Sequence, residues 1–438
     1  MNLSRRDLVM QTLFGTGLVG IQSLATGLPI SLITNPQRAM AADVLNGFVN
    51  PQFLIFSTSS SGDPLNCNVP GTYDDADIGH ANDPSMAATP ITLGNGTVVK
   101  GAQVWSTLAP ALLARTCFFH HSTYTVVHPD ENKVLRLMGQ IQQSEMLPSL
   151  LSRELSSVLG TIRSQPISLS GNVNETIYYQ SAPQPLITPT TLANVLGAPA
   201  NGLGTPALLK IRDKNLDNLN AWLKSYGTNS QKRFVDQFAI SRAQLRTMQD
   251  GLLTSLAAID DDSPLSQIRA AIILFQMKVS PVATIHIPFG GDNHNDEALA
   301  NEVQDHTDAL TTLNGMQSAL VAANMQDKVS FGLTNVFGRT LRKDDVVNGR
   351  NHNDSHHVSL MMGANVKGSL IGGLGNDGKS FKALGLDSST GLGTNSGDIA
   401  YSDTFASMGK TMAKAVGFSD ALIDANIRIG KTIRSALV

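Results

Sequence analysis

Between residues 285 and 296 the chain reads Ile-His-Ile-Pro-Phe-Gly-Gly-Asp-Asn-His-Asn-Asp, and its character changes halfway. An apolar run stops at two glycines, and a carboxylate, an imidazole and a second carboxylate then follow at alternate positions (Asp292, His294, Asp296). Val282 to Phe289 is rich in strand-forming residues and bounded by turn residues, while Val303, Leu310, Leu313, Met316, Leu320 and Val321 recur at helical spacing beyond it. The unit is strand, loop, helix. A chain that repeats such units is confined to a parallel or mixed sheet with helices on its faces. Ligands in such sheets lie beyond the carboxyl ends of the strands, where Asp292 and His294 stand.

The same pattern recurs along the chain. Gln52 to Thr58 reads as a buried first strand, with Asp63 just past the serine-rich turn that ends it; a Gly-Asp-Pro context also suits an Asx turn. Thr116 to Phe119 reads as a second strand, running into His120-His121-Ser122-Thr123, and a helix follows His128-Pro129-Asp130. Lys328 to Leu333 is another strand and is followed by Phe337-Gly338-Arg339. A second polar cluster, Gly349 to His357, precedes a strand at Val358 to Met362. Residues 143–280 look mainly helical, with apolar stripes over Leu209–Trp222, Phe234–Leu256 and Leu265–Met277, and are read as an insertion over one face of the sheet. Thr404–Val416 and Ser419–Ala436 close the chain as helices.

Lys and Arg total 32 against 35 Asp and Glu, without a cationic run, so nothing offers a phosphate backbone the basic patch it requires and nucleic acid is excluded as a partner. The amino terminus is more specific. Ser4-Arg5-Arg6-Asp7-Leu8-Val9 precedes a mildly apolar, glycine-interrupted segment, and Ala39-Met40-Ala41 has the small-x-small form of a cleavage site. Residues 1–41 therefore read as a twin-arginine signal peptide, handled by the twin-arginine translocation machinery, with residues 42–438 delivered to the periplasm or secreted. The glycines make the segment too dilute for a membrane span, and no later run is apolar enough for one. Cys67 and Cys117 read as structural thiols, since two cysteines do not make a disulfide framework.

Several motifs fail on their chemistry. Gly373-Leu374-Gly375-Asn376-Asp377-Gly378-Lys379-Ser380 matches a phosphate-binding loop in letters, but Gly385 and Gly391 leave no room for the helix that must follow. His352 and His356 have zinc-protease spacing without the glutamate that serves as base. Asp292, His294 and Asp296 begin like a calcium loop, but Glu297 stands where glycine is needed. No Gly-x-Ser-x-Gly elbow is present.

What remains is a set of carboxylates and imidazoles at separate strand ends: Asp63, Asp292, His294 and His352 as candidate metal ligands, with His121, His128 and His357 as outer candidates. Oxygen and nitrogen donors without thiolate suit Zn, Mn or a similar divalent ion, a Lewis acid for a phosphoryl or sulfuryl oxygen. Arg339 and Arg350 are candidates to grip the anion in bidentate fashion.

Gly62-Asp63 after the first strand, His128 opening a helix that ends Leu137-Met138-Gly139, Gly290-Gly291-Asp292-Asn293-His294, Phe337-Gly338-Arg339-Thr340, Gly349-Arg350-Asn351-His352 and Val366-Lys367-Gly368 together resemble domain of unknown function family 1501, exported bacterial proteins related to the alkaline phosphatase and sulfatase superfamily. The resemblance spans nearly the whole mature chain. It implies an alkaline-phosphatase-like three-layer α/β/α sandwich with a mostly parallel sheet, and Asp63, Asp292, His294 and His352 among its metal ligands. Asn351 and Val336 stand where the family carries acids, and the family's Trp before the aspartate of the Gly-Gly motif is absent. The expectation is a metal-dependent hydrolase-like protein for phosphate or sulfate esters, small or polysaccharide, holding one or two ions of Zn, Mn or Ca. A hydroxyl near Ser122 or Thr123 would be the nucleophile. The alternative is a non-catalytic exported binding or surface-assembly protein with a degenerate metal site.

Overall fold

The computed structural model describes residues 47–137, 145–172, 175–197, 206–226, 254–346, 348–376 and 378–438. The export segment and most of Phe234–Leu256 lie outside these residues. The main strands are β1 (Phe53–Ser57), β2 (Thr116–His121), β3 (Ile167–Ser168), β4 (Val282–Ile285), β5 (Val329–Leu333), β6 (His357–Met362) and β7 (Ser369–Ile371). They form one seven-stranded sheet in the order β7-β2-β6-β5-β1-β4-β3. β6 alone runs antiparallel, to β2 on one side and β5 on the other; every other pairing is parallel. The protein is thus an α/β protein with a mostly parallel mixed sheet, consistent with a three-layer α/β fold.

Alternation along the strands explains the layers. Side chains of a strand point to opposite faces in turn, and a strand buried on both faces is apolar throughout. In β1 all five residues are buried. Phe53 and Ile55 join a core with Phe331, Leu333, Ile285 and Leu360, under helices α3 (Pro264–Gln276) and α4 (Ala300–Ala322). Leu54 and Phe56 join a second core with Phe119, Val282 and Met361, under helices α1 (Glu131–Leu137), α2 (Leu147–Leu159) and α5 (Thr404–Ala415). Each large apolar side chain moved from water into such a core contributes about 1.5–3 kcal/mol. The sheet's two edges, β3 and β7, are only two and three residues long, which limits unpaired backbone.

The antiparallel β6 has a positional consequence. The parallel strands β1, β2, β4 and β5 end at the same margin of the sheet. The chain leaving β5 stays at that margin through Phe337–Arg339 and the short ribbon pairing Gly338–Arg339 with His352–Asn353, then enters β6 from there. Residues preceding β6 therefore join residues following the parallel strands.

Within residues 143–280, the helices Pro206–Tyr226 and α3 coincide with two of the three apolar stripes, Leu209–Trp222 and Leu265–Met277. Ile167–Ser168, which carries no periodic signal, pairs with β4 as a sheet edge, and Tyr178–Tyr179 pairs with Ala182–Pro183 in a separate ribbon. The segment therefore contributes a strand to the sheet as well as helices. Leu374–Asn376 and Phe381–Ala383 form a hairpin, so the phosphate-loop lettering lies on a strand and no helix follows it. Cys67 and Cys117 are buried free thiols. No helix among the described residues is long and apolar enough to cross a membrane.

Candidate metal centre

Four loops at the carboxyl margin build the site: Thr58–Asp63 after β1, Thr123–His128 after β2, His286–Asp296 after β4, and Thr334–His352 between β5 and β6. Their close approach depends on two glycines. Gly62 has φ +68, and a Cβ there would lie 2.1 Å from Phe337, whose ring packs over the turn. Gly349 has φ +125, and a Cβ would lie 2.3 Å from the carbonyl oxygen of Asn293. Both conformations favour glycine, and both contacts exclude any side chain.

His128, His294 and His352 form a triad that could hold a metal ion, one nitrogen from each lying within 4.8 Å of the other two. His128 Nδ1 lies 2.9 Å from the Ser60 carbonyl and His352 Nδ1 2.6 Å from the Val126 carbonyl. A carbonyl only accepts, so each Nδ1 is assigned the proton and each Nε2 an open lone pair. His294 Nε2 lies 3.2 Å from Arg339 Nη1, which can only donate, and 2.8 Å from His352 Nε2. Two lone pairs thus face each other at hydrogen-bond distance, an arrangement that a shared proton or a cation resolves. Backbone carbonyls fixing the distal nitrogen are also the usual outer partners of metal-bound histidines. The donor set therefore fits a divalent transition ion such as zinc, for which three imidazoles leave an open fourth position.

Arg339 ties the loops together. Its Nε donates to the Gly62 carbonyl, its Nη2 to the Ser61 carbonyl at 2.7 Å and to Asp292 Oδ1 at 2.8 Å. The guanidinium is fully buried while the Asp292 side chain is half exposed. Partial burial works against the Asp292 charge, but Arg339 outweighs it and holds the carboxyl below its ordinary range. Asp292 also lies 3.5 Å from His128 Nε2 and 3.6 Å from His294 Nε2. It flanks the triad as the guanidinium's partner. For His352, desolvation and the neighbouring Arg339 charge lower the imidazole pKa, keeping it neutral and able to donate its lone pair.

The remaining candidates stand apart. Asp63 is buried and outside the three-histidine group; burial raises its pKa, against the nearby charges of His286 and Arg339 and hydrogen bonds from the Phe289 amide and Asn335. Ser122 accepts a hydrogen bond from the Thr404 hydroxyl at 3.1 Å, and its carbonyl lies 2.7 Å from His121 Nδ1. The Thr123 hydroxyl donates to the Thr125 carbonyl at 3.3 Å. Neither hydroxyl is bonded to a triad member. Arg350 is consumed by structure: it pairs with Glu302 at 2.7 and 3.0 Å, both side chains fully buried, and donates to the Thr340 and Gly79 carbonyls. His121 bonds Ser359 within the sheet, and His357 is buried. Asp296 accepts the Asn301 and Glu302 amides at the start of α4, a cap in place of a ligand role.

His128, which the sequence marks only as an outer candidate, is an equal member of the triad. Its signal was local: a histidine followed by proline at a helix start, just past a strand. Fold and site together define an α/β protein with a candidate three-histidine metal centre at the carboxyl margin of its sheet. Compared with known proteins, the chain matches no family model and no curated sequence.

Proposed function

We propose that the protein is an exported, metal-dependent hydrolase-like protein for phosphate or sulfate esters, with the alkaline-phosphatase-like architecture and family membership that its motifs resemble. The observation that carries this reading is the convergence of His128, His294 and His352 through their Nε2 atoms beside the Arg339–Asp292 pair. A divalent ion held there would supply Lewis-acid polarisation of a phosphoryl or sulfuryl oxygen. Arg339 brings N–H donors and a fixed positive charge to the same place, suited to a tetrahedral oxyanion. Its present partner, Asp292, is half exposed and is the group an incoming anion would displace or share. Residues 1–41 would direct the chain through the twin-arginine machinery to the periplasm or beyond.

One observation favours the alternative, a non-catalytic binding or surface-assembly protein: the Ser122 and Thr123 hydroxyls are bonded elsewhere and offer no nucleophile to the triad. A panel of aryl phosphate and aryl sulfate esters, run on metal-loaded and chelator-treated protein, separates the two. Hydrolysis abolished by chelation and by His352→Ala supports the hydrolase. Metal binding without hydrolysis of any ester supports the binding protein.

A further inference from the structure

Arg339 is anchored on one side and faces the triad on the other. It lies opposite His352 in the short ribbon, and Asn66 clasps its backbone, accepting from the Arg339 amide at 2.8 Å and donating to its carbonyl at 2.9 Å. Nε and one Nη2 hydrogen go to the Gly62 and Ser61 carbonyls. Those bonds fix a guanidinium that is itself buried. The remaining donors meet side chains that reach solvent. Nη2 bonds Asp292 Oδ1 at 2.8 Å and Nη1 meets His294 Nε2 at 3.2 Å, the Asp292 and His294 side chains being 50% and 37% exposed. Nη1 also reaches the Arg350 carbonyl, but at 3.5 Å, which is long for such a bond.

The contact with His294 competes with metal binding. His294 Nε2 carries a single lone pair and is the atom that lies 2.8 Å from His352 Nε2, toward the centre of the triad. That lone pair can accept from Arg339 or bind an ion, but not both. Loading the triad therefore takes the acceptor from an N–H of a buried guanidinium, and a buried donor left unpaired is costly. An oxyanion beside Arg339 replaces the acceptor. In the other direction, an anion that takes the Nη1 hydrogen frees the His294 lone pair for the ion. We infer that Arg339 couples the two ligands of this site: a zinc-like ion at the triad and a tetrahedral oxyanion at the guanidinium each promote binding of the other through the exchange of one hydrogen bond. Arg339 is then a positioning residue for the ion as well as a contact for the anion. The coupling rests on the triad's being a metal centre and needs no hydrolysis. It is reciprocal, because each ligand must change the other's affinity by the same factor.

Zinc affinity of the exported chain, measured by competition with a chelator in inorganic sulfate and in chloride at equal ionic strength, tests this. Sulfate is expected to tighten zinc binding roughly 5–150-fold in the parent, the usual range for coupled sites. Arg339→Lys keeps the charge but loses the planar fork that spans His294 and an anion together. In chloride this variant should bind zinc at least as tightly as the parent, and most of the gain from sulfate should disappear. If Arg339→Lys does not fold, guanidinium NMR signals of the unaltered chain give the same reading: zinc should shift the Arg339 Nη1 signal, and sulfate should shift it again. The coupling is refuted if sulfate leaves zinc affinity unchanged, if Arg339→Lys keeps the full gain, which assigns it to the ion's charge alone, or if the Arg339 signal is indifferent to zinc. A parent that binds no zinc in either salt overturns the triad as a metal centre and the coupling with it, whereas zinc binding indifferent to sulfate removes the coupling alone.

Discussion

Arg339 and Arg350 flank one turn of chain, are equally buried, and do different things. Arg350 is locked to Glu302, which also accepts from Asn68 and Asn293. Burial disfavours both charges of that pair, yet mutual attraction holds the Glu302 carboxyl below and the Arg350 guanidinium above their ordinary values. Removing one partner strands the other, so Arg350→Ala should cost about 3–5 kcal/mol in urea unfolding. Its folded fraction should bind as much metal as the parent. On the proposed hydrolase reading, Arg339→Gln removes the charge beside the triad and should lower ester turnover on the order of 100-fold, the scale for losing one donor to a developing oxyanion, while leaving metal binding at the triad in place. The sequence carried His294 and His352 because each imidazole stands at a loop next to a strand. It could not separate Arg339 from Arg350, because the partner that decides is Glu302 in one case and Asp292 in the other, both remote in sequence. That His128, and not Asp63, stands with His294 and His352 in the triad is hidden from the sequence for a similar reason: strand ends share a margin, but which side chains meet across it depends on loop paths that carry no periodic signal.

At the scale of elements, β2 and β6 bring four histidines together. His357 pairs with His121 in register, and His120 Nδ1 lies 3.0 Å from His356 Nε2. Burial drives all four imidazoles toward the neutral form, His120 to about 4 and His121 to about 3, with His356 and His357 well below the usual value. In the unfolded chain each would titrate near about 6.5. The unfolded state therefore binds more protons below that pH, and the stability these groups contribute is full above about 6.5 and lost as pH falls toward and through about 4. Urea midpoints measured from pH 8 to pH 4 should drop over that window. His357→Leu should shrink the drop, since neither His357 nitrogen has a hydrogen-bond partner to lose. The turn after β1 gives a second element-scale prediction. Gly62→Ala drives a Cβ into Phe337 and strains a left-handed residue, so it should destabilise the fold by more than about 1 kcal/mol and weaken metal binding by displacing the loop that carries the Ser60 carbonyl.

At the scale of the molecule, the alternation of apolar strands with amphipathic helices already specified a sheet covered on both faces, because no other arrangement buries both Phe53 with Ile55 and Leu54 with Phe56. The reversed direction of β6 was not legible, since a strand has the same period whichever way it runs. That reversal matters most for function: it carries His352 to the margin where His128 and His294 already lie. These three imidazoles make up the candidate metal centre. Metal analysis of the purified mature protein, alongside His294→Ala and His352→Ala, tests it most directly. About one equivalent of zinc-like ion in the parent, absent from both variants while their folds persist, is the predicted result. A well-folded parent that binds no zinc, or variants that keep it undiminished, would show that the three imidazoles do not act as one metal site.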